Sequence, residues 1–265
     1  MIIDTHFHYI SLLERNPDAV LDDCLTGIEI GLNGGDLEKR IRKIGENKYI
    51  FLSVGAGPWV LDRVDFSTID DEINKIEEDI KKFGADAIGE CGIDNHWKYG
   101  TLDLQKELFE KQCILAREYD LPLLIHSREA DNELLDFAAK GYIGEKTVMH
   151  CFSSSIDIAN VILDKGCYLS FAGNVTYKQN KHIQESAKHT PLDRILVETD
   201  SPYLTPMPKR HEINNPRNTE LTIQFIANLK GMDKETLKER IHDNFMCLMD
   251  SSESKVKRDI TTLSR

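Results

Sequence analysis

The sequence predicts a single (β/α)8 barrel, the TIM-barrel class of α/β folds, carrying one extra helix at its C-terminal end. Three observations lead there. Short apolar runs alternate with longer segments of helical period, and the alternation completes eight times. Strands separated by helices imply parallel pairing, and eight such units favour a closed barrel over an open sheet. The 265 residues also match the roughly 250 that such a barrel uses.

In chain order the expected strands are 2–4, 28–31, 50–55, 85–90, 122–126, 147–150, 168–172 and 195–200. Helices are expected near 11–24, 36–46, 68–82, 102–118, 129–139, 155–165, 177–188 and 216–229. Asp36 precedes a run in which Leu37, Ile41 and Ile44 share one stripe before Gly45, and Leu104, Leu108, Ile114 and Leu115 mark another stripe. Leu237, Ile241, Phe245 and Leu248, spaced by three and four, predict the extra helix over 234–249, closing the bottom or flank of the barrel. Residues 1–250 read as one domain, and 251–265 as a polar tail with little to bury.

Composition narrows the function. Hydrophobic residues at 40% and charged residues at 29% suit a soluble globular chain. No stretch approaches the roughly 18 uninterrupted apolar residues of a membrane helix. The opening MIIDTHFHYI has neither the basic flank nor the cleavage site of a signal peptide, so a cytoplasmic location is expected. Six cysteines without a C-x-x-C spacing read as reduced and mostly buried thiols. A net charge of −12 argues against a broad basic surface, but leaves room for a nucleic-acid substrate gripped by cations and a few local Arg or Lys.

The chemistry gathers at strand ends. His6 and His8 lie two apart at the end of the first strand and so project to one face of extended backbone. Glu90, His126, His150 and Asp200 close the runs DAIGE, LPLLIH, KTVMH and RILVETD, and barrel sites form where such ends converge. Imidazoles with carboxylates suit two divalent ions, Zn, Mn, Fe or Mg, sharing a bridging carboxylate. The expected grouping is Glu90 as the bridge, with His6, His8 and Asp200 on one side and His126 and His150 on the other. Asp200 and Glu90 are the expected catalytic residues, Asp200 accepting the proton of a metal-activated water. Cys91 and Cys151 each follow an expected ligand and read as packing residues rather than nucleophiles.

DTHFH, GECGID, IHSREA, HCFS and ETDSPYL, in this order, closely resemble the TatD-type deoxyribonucleases of the amidohydrolase-like superfamily. The resemblance spans roughly residues 1–248 and implies a TIM barrel, a divalent-metal site and 3′-to-5′ hydrolysis of DNA. Its ligand motifs fall on the six residues already chosen. It also suggests substrate contacts at Arg128, Ser153, Tyr203, Trp97 and Lys98. Arg128 meets a phosphate or caps the next helix, and Trp97 stacks on a base or packs on the rim; both pairs of readings stay open. Two departures stand out. Where family members commonly carry Gly-x-His-Pro, this chain reads Gly55-Ala56-Gly57-Pro58, leaving Trp59 or His96 to take the histidine's place. Asn95-His96 replaces the usual aromatics after GECGID. The expected substrate is therefore DNA, with two alternatives: an esterase or amidase such as an aminoacyl-tRNA deacylase, and a catalytically silent barrel used for interaction. No obligate protein partner and no membrane association are expected.

Overall fold

The computed structural model describes residues 1–45, 47 and 49–250. Eight strands follow one another around a sheet in the order of the sequence, each parallel to the next: β1 (Ile2–Phe7), β2 (Leu25–Glu29), β3 (Ile50–Val54), β4 (Ala87–Asp94), β5 (Leu123–Arg128), β6 (Thr147–Met149), β7 (Tyr168–Phe171) and β8 (Ile195–Val197). Helices run between them: α1 (Tyr9–Arg15), α2 (Leu37–Ile44), α3 (Ile69–Phe83), α4 (Leu102–Glu118), α5 (Asp131–Ala139), α6 (Ile156–Asp164) and α7 (Lys181–His189), with α8 (Thr219–Lys230) and α9 (Lys234–Asp250) after the last strand. This is the expected (β/α)8 architecture. The seam between β8 and β1 is closed by main-chain bonds, Asp200 N–H to His6 O at 3.0 Å and His8 N–H to Ser201 O at 2.9 Å. The Thr5 hydroxyl adds a bond to Val197 O.

Local chemistry explains the elements. Thr68 caps α3 by accepting from Asp71 N–H, and Asp70, Asp71 and Glu72 fill a first turn where negative charge is favoured. Ile69, Ile76 and Ile80 turn inward at spacings of seven and four. Thr101 caps α4 in the same way. The buried face of α4 carries two glutamines as well as apolar residues. Gln112 accepts from Ala56 N–H and donates to Ala56 O, both at 2.8 Å, while Gln105 accepts from Asp94 N–H and donates to Asp94 O and Tyr99 O. These bonds satisfy the main chain where it leaves β3 and β4, so one helix fixes two loops at the C-terminal mouth.

Several boundaries differ from expectation. Helix α1 stops at Arg15 rather than near residue 24, because Pro17 follows Asn16 and the position before a proline disfavours helix. Strand β2 lies three residues early; beyond it, Gly31 O accepts from Glu90 N–H and pairing passes to β4. Strands β4 and β5 run on to Asp94 and Arg128, so Glu90 and His126 sit inside strands, whereas His150 and Asp200 stand just past the ends of theirs. A short 3-10 turn, Pro216–Asn218, occupies the expected start of α8, and another, Gly173–Thr176, precedes α7.

Helix α9 buries Leu237, Ile241, Phe245 and Leu248 as predicted, and Asn244 donates to Leu192 O and Ile195 O ahead of β8. It therefore packs against the N-terminal end of β8, opposite the mouth. The expected tail, 251–265, lies outside the described residues. Among those residues no helix is long and apolar enough to cross a membrane.

Candidate metal centre

All six side chains expected as ligands meet at the C-terminal mouth, around the carboxylate of Glu90. Its Oε1 lies 2.9 Å from His126 Nδ1 and 3.2 Å from His150 Nε2. Its Oε2 lies 3.5 Å from His6 Nε2 and 3.7 Å from His8 Nε2. Asp200 Oδ1 completes the second side, 3.2 Å from His8 Nε2 and 3.8 Å from His6 Nε2. One carboxylate thus faces two groups of imidazoles with its two oxygens.

The grouping differs from expectation in one respect. Potential ligand atoms of His6, Glu90 and His150 lie within 4.8 Å of one another, as do those of His6, His8 and Asp200, so His6 belongs to both groups. Its ring stacks on His150 with centroids 3.7 Å apart, and that stacking draws the two sides together. His126 joins through Glu90 Oε1 and sits in neither trio.

The strand register explains how His126 is held. Gly92 is paired with His126, so Glu90 and Asp94, two residues to either side of Gly92, flank the histidine from the neighbouring strand. A Cβ at Gly92 would stand 1.9 Å from His126 O, and its φ of +144° lies where side chains are rare, so glycine is required. Asp94 Oδ2 holds His126 Nε2 at 3.0 Å. Glu198, fully buried, accepts from His150 Nδ1 at 2.8 Å and from Cys151 N–H at 2.9 Å. On the seam, Asp4 accepts from the main-chain N–H and the hydroxyl of Thr199. Left-handed backbone at Lys98, Glu129, Cys151 and Asp200 clusters just after β4, β5, β6 and β8, where an unfavourable conformation persists only if its surroundings enforce it.

Charge balance follows from burial and these partners. Burial opposes ionisation of Glu90, but His150, His126 and His6 outweigh it and hold the carboxyl well below its ordinary range. Asp200 is likewise lowered despite burial, by His8 and then His150. Burial and the nearby His150 keep His6 below its usual value. Burial works against the His150 cation too, yet Glu198 and Glu90 raise it well above normal. His6 Nε2 and His8 Nδ1 are buried without a hydrogen-bond partner. The unpaired Nε2 of His6, 3.5 Å from Glu90 Oε2, forms with the imidazoles and carboxylates around it a donor set that fits borderline divalent ions.

The remaining candidates divide. Tyr203 lines the cavity of about 320 Å³ above the cluster, edge-on to His8 at 6.3 Å. Trp97, Lys98 and Ser153 on the surrounding loops and Arg128 at the end of β5 are exposed rather than in its wall, and Arg128 stacks over the Trp97 ring at 5.6 Å. Burial pushes the Cys91 and Cys151 thiols up, which suits packing rather than attack. All six cysteines are free thiols, with Cys91, Cys113 and Cys167 buried, Cys151 half-buried, and Cys24 and Cys247 exposed. Asp94, Glu198 and Asp4 were not expected at the site from the sequence, and Trp59 was expected there only as one of two stand-ins, with His96, for the missing histidine. The first three lie inside the motifs GECGID, ETDSPYL and DTHFH, so a signal existed; Trp59 had only its place beside the missing histidine.

Comparison with known proteins agrees with this geometry. The family described as TatD related DNase matches residues 3–250. An uncharacterized metal-dependent hydrolase of Bacillus subtilis, YabD, is 32% identical over 247 residues, covering 89% of this chain and 94% of that protein. An uncharacterized metal-dependent hydrolase of Escherichia coli, YcfH, is 33% identical over 215 residues, covering 81% of this chain and 79% of that protein. The crystal structure of YjjV, a TatD homologue from E. coli, superposes with a TM-score of 0.79 at 21% identity, covering 94% of this chain and 98% of that one, which shows the shared fold. The chain belongs to the TatD-related DNase family and is a metal-dependent hydrolase.

Proposed function

We propose that this hydrolase cleaves DNA phosphodiesters from a strand end, in the 3′-to-5′ sense implied by its family. One observation carries the reading: both oxygens of Glu90 face histidine groups, the arrangement a carboxylate needs to serve two cations at once. In this reading His6, His8 and Asp200, with Glu90, would hold one divalent ion, and His126 and His150, with Glu90, would hold another. Divalent ions there supply a water acidic enough to ionise near neutral pH and polarise a phosphoryl oxygen.

The chain's own groups do the rest. Asp200, kept anionic by its histidine neighbours, is placed to accept the proton of the attacking water. Asp94 and Glu198 fix the ring orientations of His126 and His150. Trp59, Leu32 and Tyr203 line the cavity above the cluster, and such walls favour a chain end over a continuous duplex. In a protein of net charge −12, Arg128 and Lys98 are cations placed to meet phosphates on the approach.

Incubating purified full-length protein with end-labelled single-stranded DNA and Mg²⁺ or Mn²⁺ tests the proposal. Stepwise shortening is expected, lost in Asp200→Asn and Glu90→Gln. Undiminished cleavage by those variants rejects the site. A second reading, hydrolysis of a carboxylic ester such as an aminoacyl-tRNA, is favoured by one feature. Gly57 leaves no imidazole to meet a phosphate. Parallel rates on oligonucleotides and aminoacyl esters separate the two.

A further inference from the structure

The loop after β3 has no side chain at residue 57, and another group fills that space. Gly57 has ordinary extended backbone (φ −76°, ψ 170°), so the main chain does not demand glycine. The indole of Trp59 does: a Cβ on residue 57 would sit 2.1 Å from Cη2 and 2.2 Å from Cζ2 of that ring. Those distances are far inside van der Waals contact, so the indole and any side chain at 57 exclude one another. The indole is also fixed. Its Nε1–H donates to Leu32 O at 2.9 Å, and Gln112 clamps the main chain of Ala56 on both sides of its peptide. The ring stands edge-on to His126, centroids 5.7 Å apart, and lines the cavity beside Glu90 and His126.

We infer that Trp59 determines which substrates this centre accepts, by offering an apolar aromatic wall that selects a planar group next to the scissile linkage. The inference deepens the hydrolase reading of the centre and rests on it, but does not need DNA to be the substrate. The single N–H of the indole is committed to Leu32, so the wall has no donor for a phosphate oxygen. It offers stacking and apolar contact instead. Base–aromatic stacking tolerates any base and discriminates against ligands that lack one, typically by roughly tenfold or more.

The test compares two diesters with one leaving group, phenyl and methyl p-nitrophenyl phosphate, on the full-length protein with Mn²⁺. The phenyl-to-methyl ratio of kcat/KM is expected to fall roughly tenfold in Trp59→Ala and to survive in Trp59→Phe. Gly57→Ala, which adds one methyl group and no chemistry, should displace the indole and lower the ratio as Trp59→Ala does. Metal content and Tm are measured for each variant, and where Trp59→Ala loses either, Gly57→Ala and Trp59→Phe decide. A second readout needs no turnover. The chain has two tryptophans, so in a Trp97→Phe background Trp59 is the sole emitter, and thymidine 5′-monophosphate should quench it. An unchanged ratio in a metal-replete Trp59→Ala or Gly57→Ala protein, or no quenching, overturns the inference. If every form leaves an oligonucleotide intact while the phenyl preference still depends on Trp59, the DNA reading fails and the inference stands.

Discussion

The two sides of Glu90 are built differently. On the Oε1 side each histidine is gripped from behind by a second carboxylate, His126 by Asp94 and His150 by Glu198, with those carboxylates 2% and 0% exposed. On the Oε2 side neither His6 nor His8 has such a partner, and both keep a buried nitrogen unpaired. That side is held by main-chain bonds across the seam, and its carboxylate, Asp200, is 15% exposed. Orienting carboxylates raise ligand basicity and fix the ring, so the Oε1 side is expected to hold its ion more tightly. The Oε2 side, whose rings lack such carboxylate partners, is expected to exchange.

The shared residue gives the largest effect. Glu90→Gln removes the charge both sides use, and even the loss of an orienting partner typically costs 10–100-fold in metal affinity. Both affinities should fall by more than about 100-fold, with activity lost and no rise in Tm on adding metal. Calorimetric titration checks this; a variant that keeps one tight site would place the bridge elsewhere.

Next in size is a change confined to one side. Glu198→Gln keeps the acceptor for Cys151 N–H but removes the charge behind His150, and Asp94→Asn does the same behind His126. Each should weaken the tighter step of the titration by about 10–100-fold and leave the weaker step nearly unchanged. Equal losses in both steps would dissolve the distinction. A graded chelator series on the unaltered protein sharpens it further: one equivalent of ion should leave early, taking activity with it, and the second only at higher chelator.

How far the sequence foretold this difference depends on which residues are considered. Alternating runs specified the barrel, and six chemistry-bearing residues at the ends of those runs specified the mouth, because strand period and parallel pairing leave few other places for them. What stayed hidden depended on register. That Gly92 faces His126, and so sets Asp94 and Glu90 on either side of it, needs the β4–β5 pairing, which no single strand encodes. The sharing of His6 between both groups goes with a ring stack across the barrel mouth, from β1 to His150 just past β6. Trp59 was legible as a stand-in for the missing histidine, but its packing was not: a bulky residue two places along fills the space of an absent side chain, a relation with no periodic signature.

The smallest effect should come from the seam. Thr199 joins the two ends of the sheet: its N–H and hydroxyl both bond Asp4, and its Oγ1 also accepts from Ser201 N–H at 3.0 Å. Thr199→Val keeps the shape but leaves Ser201 N–H without its acceptor and Asp4 without one donor, in a region closed to water. Leaving a buried polar group unpaired costs about 1–3 kcal/mol, so a clear drop in Tm is expected. Ser201 and Asp200 are bonded to the main chain of His8 and His6, so any relaxation passes first to the Oε2 side. The weaker step of the titration should therefore soften by less than the loss seen in Glu198→Gln, while the tighter step holds. A Thr199→Val protein that loses its tighter ion first would show that the seam, and not the paired carboxylates, orders the two sides.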